Sequence, residues 1–214
     1  MVQSVVNQSA LDILEGTRSL IAITGAEYGN SIAKARKAGI DLPLTETSGE
    51  YTRMIGEDVK MAGEAEMARG IRQPIQIYPM FENAIRYQRQ ESIEEHQLRI
   101  SELWAGFSKV AASNPHAWIK DQVDAEAIRT AAASNRMISF PYPKLMNSNS
   151  AVDMSAALIM CSVEKARSLG VPESQWVYPL AGTDAHDHYM VSNRDNLHSS
   201  PAIRIAGSRA LELI

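Results

Sequence analysis

Residues 4–27, SVVNQSALDILEGTRSLIAITGAE, carry the pattern from which the fold class follows. In the first half, apolar residues recur at the spacing of a single helix face, at Val6, Ala10, Ile13 and Leu14. The short apolar run at 20–23 (LIAI) predicts a strand that is covered on both faces. Residues 26–38 predict a second helix, with basic side chains near its end and Gly39 beyond it. The order helix, covered strand, helix indicates an α/β layered fold.

The last third of the sequence repeats this alternation of helix and strand. Residues 156–161 (AALIMC) predict another covered strand, and Ser162 is placed to cap the helix that follows it. A short strand is expected at 176–178 (WVY), and Pro201 marks the first turn of a final amphipathic helix. Both ends of the sequence therefore predict layered α/β structure.

The middle of the chain has a helical pattern instead. Residues 40–75 are punctuated by Pro and Gly and show no regular periodicity. Ser92 and Glu95 have the spacing of a capping box, and Asn114 marks the expected end of the helix that this box begins. The apolar stripe behind the box is predicted to be core and comprises Ile100, Leu103, Trp104, Phe107, Val110 and Ala111. Residues 79–135 therefore predict a helical insertion in the α/β domain.

Composition excludes several classes of protein. The 214 residues are 45% hydrophobic with a formal net charge of -4, which argues against disorder and against a nucleic-acid-binding surface. No apolar run approaches the roughly 18 residues that span a bilayer, and no signal-peptide pattern is present. Cys161 is the single cysteine, so an intrachain disulfide is excluded. We expect a cytoplasmic protein with no nucleic-acid or membrane partner.

The sharpest local pattern is Asp184-Ala185-His186-Asp187-His188. On a strand the two imidazoles point to the same face, which suits a pair of metal ligands. In a loop they suit proton transfer near neutral pH, or hydrogen bonds to the neighbouring backbone. Because no third and fourth ligand is evident in the sequence, a metal site ranks last among these interpretations.

A polar loop precedes the second predicted strand, and a cysteine is its last residue. Residues 147–150 (NSNS) lie shortly before this strand, and such loops either face ligands in α/β folds or form surface turns. Cys161 follows Leu158, Ile159 and Met160, and burial among apolar side chains raises the pKa of a thiol. We therefore interpret Cys161 as a core residue and not as a nucleophile.

Several of these segments together resemble the thiolase superfamily. Residues 4–27 resemble the helix, strand and G-x-E segment that follow the thiolase nucleophile, and residues 147–170 resemble the stretch in which a polar loop leads into strand and helix. Residues 201–213 resemble the helix that comes next. Glu82-Asn83 with the helix after Ser92 resembles the start of the thiolase loop domain. The segments at 114–118, 140–146 and 185–188 are most similar to the thiolase-like subgroup usually labelled acetyl-CoA acetyltransferase.

The resemblance implies a three-part organisation. Residues 1–75 would form part of the N-terminal thiolase half, residues 76–136 the helical loop-domain insertion, and residues 137–214 the return to that half and the start of the C-terminal half. It implies a layered α/β architecture of two similar halves that assembles as a homo-oligomer such as a homodimer. The family's nucleophilic Cys would precede Met1 and its catalytic His and second Cys would follow Ile214, so we expect an interior fragment without catalytic residues.

The resemblance also implies a function in which acyl groups move between CoA thioesters. Acyl-CoA would be the substrate and no separate cofactor would be needed. Asn147 and Asp153 match the family's polar loop, whereas its other positions depart from the pattern. The residues expected to line the acyl-CoA cleft are Asn147, Ser148, Asn149, His186 and His188. The alternatives are a non-catalytic thiolase-like scaffold that binds acyl-CoA or an OB-fold partner protein, and a thiolase-like aldol lyase.

Overall fold

The computed structural model describes residues 2–45 and 49–214. Within them the helices are α1 (Val2–Leu14), α2 (Gly29–Ala38), α3 (Glu64–Ala68), α4 (Pro74–Gln88), α5 (Ile93–Ser113), α6 (Ala125–Arg129), α7 (Val163–Ser168) and α8 (Pro201–Glu212). The strands are β1 (Leu20–Tyr28), β2 (Met137–Ser139), β3 (Tyr142–Pro143) and β4 (Asp153–Cys161). This mixture confirms the predicted α/β class. None of the described helices is both long enough and apolar enough to cross a membrane.

The chain divides into two compact units. The first contains the described residues up to Val59 together with Asn149–His186 and Pro201–Ile214. The second contains Lys60–Ser148 and Asp187–Ser200. The finer division into thiolase halves and a loop domain, at residues 75 and 136, stays a prediction.

The first unit is built on one long antiparallel strand pair. β1 pairs with β4 along its whole length, from Leu20 opposite Cys161 to Tyr28 opposite Asp153. α1 packs against both strands, and α2 packs against β4. The strands predicted at 20–23 and 156–161 are therefore confirmed, and each extends beyond the apolar run from which it was predicted.

The expectation that these strands are covered on both faces is wrong. Most positions of β1 and β4 are exposed, with Leu158 at 52% and Ile159 at 74%. Because α1 and α2 cover only part of the pair, many of its apolar side chains face solvent. Cys161 is likewise only partly buried, contrary to its interpretation as core.

α2 begins later than predicted because β1 continues through residues 26–28. Tyr28 precedes the helix and supplies no side-chain cap. Asp153, at the start of β4, caps it instead: one carboxylate oxygen accepts from the Ser31 backbone N–H at 2.9 Å and the other from the Asn30 amide at 3.0 Å. The Ser31 hydroxyl also donates to Asp153, at 2.9 Å. A residue more than a hundred positions away thus does the work of a local cap.

Asp153 should make the stability of the first unit depend on pH in the acid range. The backbone N–H of Ser31 first, and then the Asn30 amide, hold the pKa of Asp153 below its ordinary value of 3.8. A carboxyl whose pKa is lower in the folded state stabilises the fold above that ordinary value, and the contribution is lost as the pH falls. We expect Asp153→Asn to flatten the acid limb of the unfolding free energy measured by urea denaturation between pH 2 and pH 6. Asp41→Asn, an exposed carboxylate in the same unit, is the control, and identical acid limbs for the native chain and D153N would contradict the assignment.

In the second unit, a buried carboxylate anchors the segment 187–200. Glu66 of α3 is 3% exposed, and it accepts from the backbone N–H of Gly63 at 2.7 Å and of Ser192 at 2.8 Å. These two bonds, that of Ser192 first, hold the pKa of Glu66 below its ordinary value. The sequence between residues 40 and 75 shows no pattern that predicts this contact.

The core of the second unit lies where α5, α6 and the turn after β3 meet. Ile100, Ile128 and Met146 are each 3% exposed, and Trp104 packs against them. The predicted capping box is confirmed, because the Glu95 backbone N–H donates to Ser92 Oγ and the Ser92 N–H donates to the Glu95 carboxylate. α5 ends before Asn114, as predicted. The prediction that the whole apolar stripe of α5 is core is wrong for Leu103, Phe107 and Val110, whose side chains are exposed.

One buried amide connects three segments of this unit. Asn135 is 3% exposed, and its Nδ2 donates to the carbonyls of Ala127, Ile128 and Thr130 at 3.0 Å each. Its Oδ1 accepts from the Leu145 backbone N–H at 2.9 Å. The end of α6 and the turn after β3 are therefore held together by a single side chain.

The strand predicted at 176–178 is not formed. Trp176 follows a short 3₁₀ turn, and its indole N–H donates to the Val171 carbonyl at 3.1 Å. The Arg167 guanidinium lies 5.7 Å from the centre of the same indole ring. The aromatic run is thus used for local packing beside α7.

Candidate functional site

The polar loop 147–149 lies where the chain passes from the second unit to the first. Asn147 and Ser148 belong to the second unit and Asn149 to the first. Asn147 Nδ2 donates to the Pro143 carbonyl at 2.9 Å, and Asn149 Oδ1 accepts from the Ala151 backbone N–H at 3.0 Å. Each amide therefore uses one polar group to hold the backbone, while Ser148 and Asn149 are exposed.

The segment 184–186 lies against α1 in the first unit and is not a strand. Ser4 Oγ donates to one oxygen of Asp184 at 2.5 Å, and Asn7 Nδ2 donates to the other at 3.3 Å. Gly182 permits this approach, since a Cβ there would lie 2.3 Å from Asn7 Oδ1. His186 is exposed at the end of this segment.

His188 belongs to the second unit, where Arg194 holds the backbone around it. Arg194 Nε donates to the His188 carbonyl at 3.1 Å, and its guanidinium lies 3.6 Å from Asp187 Oδ2. The same guanidinium lies 5.2 Å from the centre of the Phe81 ring. The imidazole of His188 is exposed.

His186 and His188 do not lie on a strand, so the interpretation that aligned them on one strand face is wrong. Residues 183–188 have no regular secondary structure, so the alternation that would align His186 with His188 is absent. Among residues 2–45 and 49–214, no group of three or more His, Cys, Asp or Glu is arranged to hold a metal ion.

A charged cluster around a buried histidine in the second unit is not predicted by any sequence pattern. We call it the His96 cluster, and it consists of Glu82, Arg89, Glu91, His96, Arg99 and Tyr142. His96 is 1% exposed; its Nδ1 lies 2.6 Å from Glu91 Oε2 and its Nε2 lies 2.9 Å from Glu82 Oε1. Tyr142 Oη donates to Glu82 Oε2 at 2.5 Å. α4, the turn before α5, α5 itself and β3 each contribute to this cluster.

The arginines and burial set the charge states in the cluster. Arg99 donates to both oxygens of Glu91, at 2.7 and 3.0 Å, and Arg89 donates to Oε1 at 2.7 Å. Arg99 first, and then Arg89, hold the pKa of Glu91 far below its usual range. Burial, and then the bond to Glu82, raise the pKa of Tyr142 well above its usual range. Glu91 also borders an open groove of about 560 Å³, whose lining is Arg86, Tyr87, Gln88, Gln90, Glu91 and Ser92.

Local patterns do not predict this cluster because its members are joined across the fold. His96 lies one turn after the predicted cap, where a helix position alone shows neither burial nor partners. Glu82 and Tyr142 are 60 positions apart. The sequence feature that marks the cluster is a concentration of charged residues around the start of α5. The same feature is typical of a solvent-exposed helix face, so it does not predict a cluster.

Among known proteins, solved structures share the fold of this chain. No protein-family model matches the chain, and no curated protein matches it. The structure of a monomeric SCP2-thiolase-like protein type 1 from Mycobacterium smegmatis matches with a TM-score of 0.76 and 32% sequence identity. The match covers 99% of this chain and 39% of that protein. The chain thus spans about two fifths of the length of its solved relative, and over that length it has a thiolase-like α/β fold.

Proposed function

We propose that this chain is part of a cytoplasmic thiolase-like acyltransferase that acts on acyl-CoA thioesters, of the acetyl-CoA acetyltransferase type. The observation that carries the proposal is sequence identity of 32% sustained over 99% of the chain with an SCP2-thiolase-like protein. Identity spread over the whole chain supports a common origin for the helices, the β1–β4 pair and the second unit alike. A shared fold alone would support much less, because one fold hosts many activities.

The proposed role of the chain itself is binding without turnover. Thioester transfer through a cysteine needs an activated thiolate and fixed donors for the developing oxyanion. The single thiol, Cys161, lies at the end of a strand, opposite Leu20. We propose that Asn147, Ser148, Asn149, His186 and His188 are acyl-CoA contacts and that none of them is a nucleophile.

A non-catalytic scaffold is the second candidate function. It is favoured by the amides of Asn147 and Asn149, which hold their own turns with the bonds described above. Such a scaffold would bind acyl-CoA or an OB-fold partner and would perform no chemistry, and an aldol lyase is the remaining alternative.

A homo-oligomer is proposed from the resemblance only, since the solved relative is described as monomeric. Sedimentation of the chain at several concentrations tests this proposal.

Binding and turnover are measured separately. We expect acetyl-CoA and acetoacetyl-CoA to bind in calorimetric titrations, with no CoA release detected by a thiol reagent and no acyl adduct in the intact mass. His188→Ala should weaken binding several-fold, whereas His198→Ala, an exposed histidine of the same unit, should not. Steady CoA release, or an adduct lost in Cys161→Ser, would refute the proposed lack of turnover. No binding of either thioester would refute the proposed substrate class.

A further inference from the structure

The imidazole of His96 lies between two carboxylates on different segments. Glu91, in the turn before α5, faces Nδ1, and Glu82 of α4 faces Nε2. The imidazole belongs to a residue that is 1% exposed, so solvent has little access to either nitrogen. The protonation of this ring must therefore suit the protein groups around it, because a buried polar atom without a suitable partner is costly.

The Nδ1 atom of His96 must carry a hydrogen. Arg99 and Arg89 together donate three hydrogen bonds to Glu91 and keep it ionised, and an ionised carboxylate has acceptors only. The 2.6 Å contact between Nδ1 and Glu91 Oε2 thus requires an N–H donor on the ring. Arg99 Nη2 lies 3.1 Å from Nδ1 because both donors converge on the same oxygen.

The Nε2 atom then faces Glu82 Oε1 at 2.9 Å. A neutral ring would present a lone pair to that oxygen, and the contact with an ionised carboxylate would be repulsive. The contact lies outside directed hydrogen-bond geometry, and Nε2 has no hydrogen-bond partner among the residues that the structure describes. One further proton between Nε2 and Glu82 removes this repulsion, carried either by the ring, as an N–H facing the carboxylate, or by Glu82, as an O–H facing the ring nitrogen.

We propose that the folded second unit holds one proton more than a neutral imidazole and two carboxylates would carry, and that this proton locks α4, α5 and β3 together. Charged and titratable groups surround the ring from each element: Glu82 and Arg86 on α4, Arg89 and Glu91 in the turn, Arg99 on α5, and Tyr142 of β3, which reaches the ring through Glu82. With the proton present, an imidazolium lies between the two carboxylates. Without it, Glu82 faces the lone pair of a ring that is 1% exposed.

The retained proton makes the stability of the second unit depend on pH. An unfolded histidine is mostly neutral above about pH 6.5. A folded state that keeps a proton which the unfolded chain has released is destabilised as the pH rises. If one proton is retained, the equilibrium constant for folding falls about tenfold for each unit of pH across that range. The lock also weakens in acid, because Glu91 gains a proton there and its pKa is held low only in the folded state.

The test compares the full chain with Glu82→Gln. A glutamine amide can either donate to Nε2 or accept from it, so the variant has no need of the extra proton. We expect the native free energy of unfolding, from urea titrations between pH 6.5 and pH 8.5, to fall with the slope of about one proton. The E82Q slope should be close to zero. Glu102→Gln, an exposed carboxylate of α5, is the matched control and should keep the native slope.

A direct measurement of the ring removes any dependence on the stability of variants. Nitrogen-15 NMR at pH 7.5 should show the His96 ring of the native chain with hydrogens on both nitrogens and the E82Q ring with one. The signal is assigned by its loss in His96→Gln. A native ring with one hydrogen and an ionised Glu82, or equal pH slopes for the native chain and E82Q, would overturn the proposal.

Discussion

Asn135→Ala should lower the free energy of unfolding of the second unit by about 3 kcal/mol. The substitution removes the two Nδ2 hydrogens, which are shared among three carbonyls, and the bond accepted by Oδ1. Each buried backbone group left without a partner costs about 1–3 kcal/mol, and water entering the space will restore part of this. Urea denaturation followed by tryptophan fluorescence measures the change, since Trp104 packs against the core of this unit.

The neighbouring residue provides the control for this substitution. Ser134 is exposed in the same turn, and Ser134→Ala should change the free energy of unfolding by less than about 0.5 kcal/mol. Equal effects of N135A and S134A would mean that the amide does not hold the end of α6 to the turn after β3. A large loss for N135A alone would establish that one side chain joins these segments.

Ile128→Ala should have an effect of similar size, about 3–4 kcal/mol, for a different physical reason. Ile128 is 3% exposed and packs in the cluster with Ile100 and Met146, so its truncation removes buried apolar surface and leaves a cavity. α6 has only five residues, so its position depends on this packing more than on helix propensity. Chemical denaturation gives the magnitude, and a near-ultraviolet circular dichroism spectrum reports on the surroundings of Trp104.

An exposed isoleucine separates burial from residue type. Ile119 is 63% exposed in the same unit, and Ile119→Ala should cost less than about 1 kcal/mol. If I128A and I119A had the same effect, the cluster of Ile100, Ile128 and Met146 would not be the core of this unit.

Local sequence signals predicted the elements that depend on neighbours in the chain. The Ser92 and Glu95 box and the helix end at Asn114 formed as expected because capping involves residues within one turn. The apolar runs predicted β1 and β4, since strand preference follows from side-chain type. The prediction that both faces of these strands are buried was wrong. An apolar run shows which side chains a strand can bury, but it does not show whether another element covers them.

The candidate site was predictable only as a set of residue types. Asn147, Ser148, Asn149, His186 and His188 were chosen for their chemistry, and the structure places them in turns and at segment ends of the two units. The His96 cluster had no comparable sequence pattern. Its geometry depends on where α4, α5 and β3 meet, which no single window of sequence contains.

The sequence alone predicted the α/β class, the capping of α5 and the strands β1 and β4. These features were predictable because propensities, caps and periodicity act over a few residues. Three features came from tertiary contacts: Asp153 capping α2, Asn135 joining α6 to the turn after β3, and His96 between Glu82 and Glu91. Hydrogen bonds and charge pairs depend on distance in space, and folding brings together groups that are far apart in the chain. The position of His96 between two carboxylates is therefore a property of the folded unit and not of its place in α5.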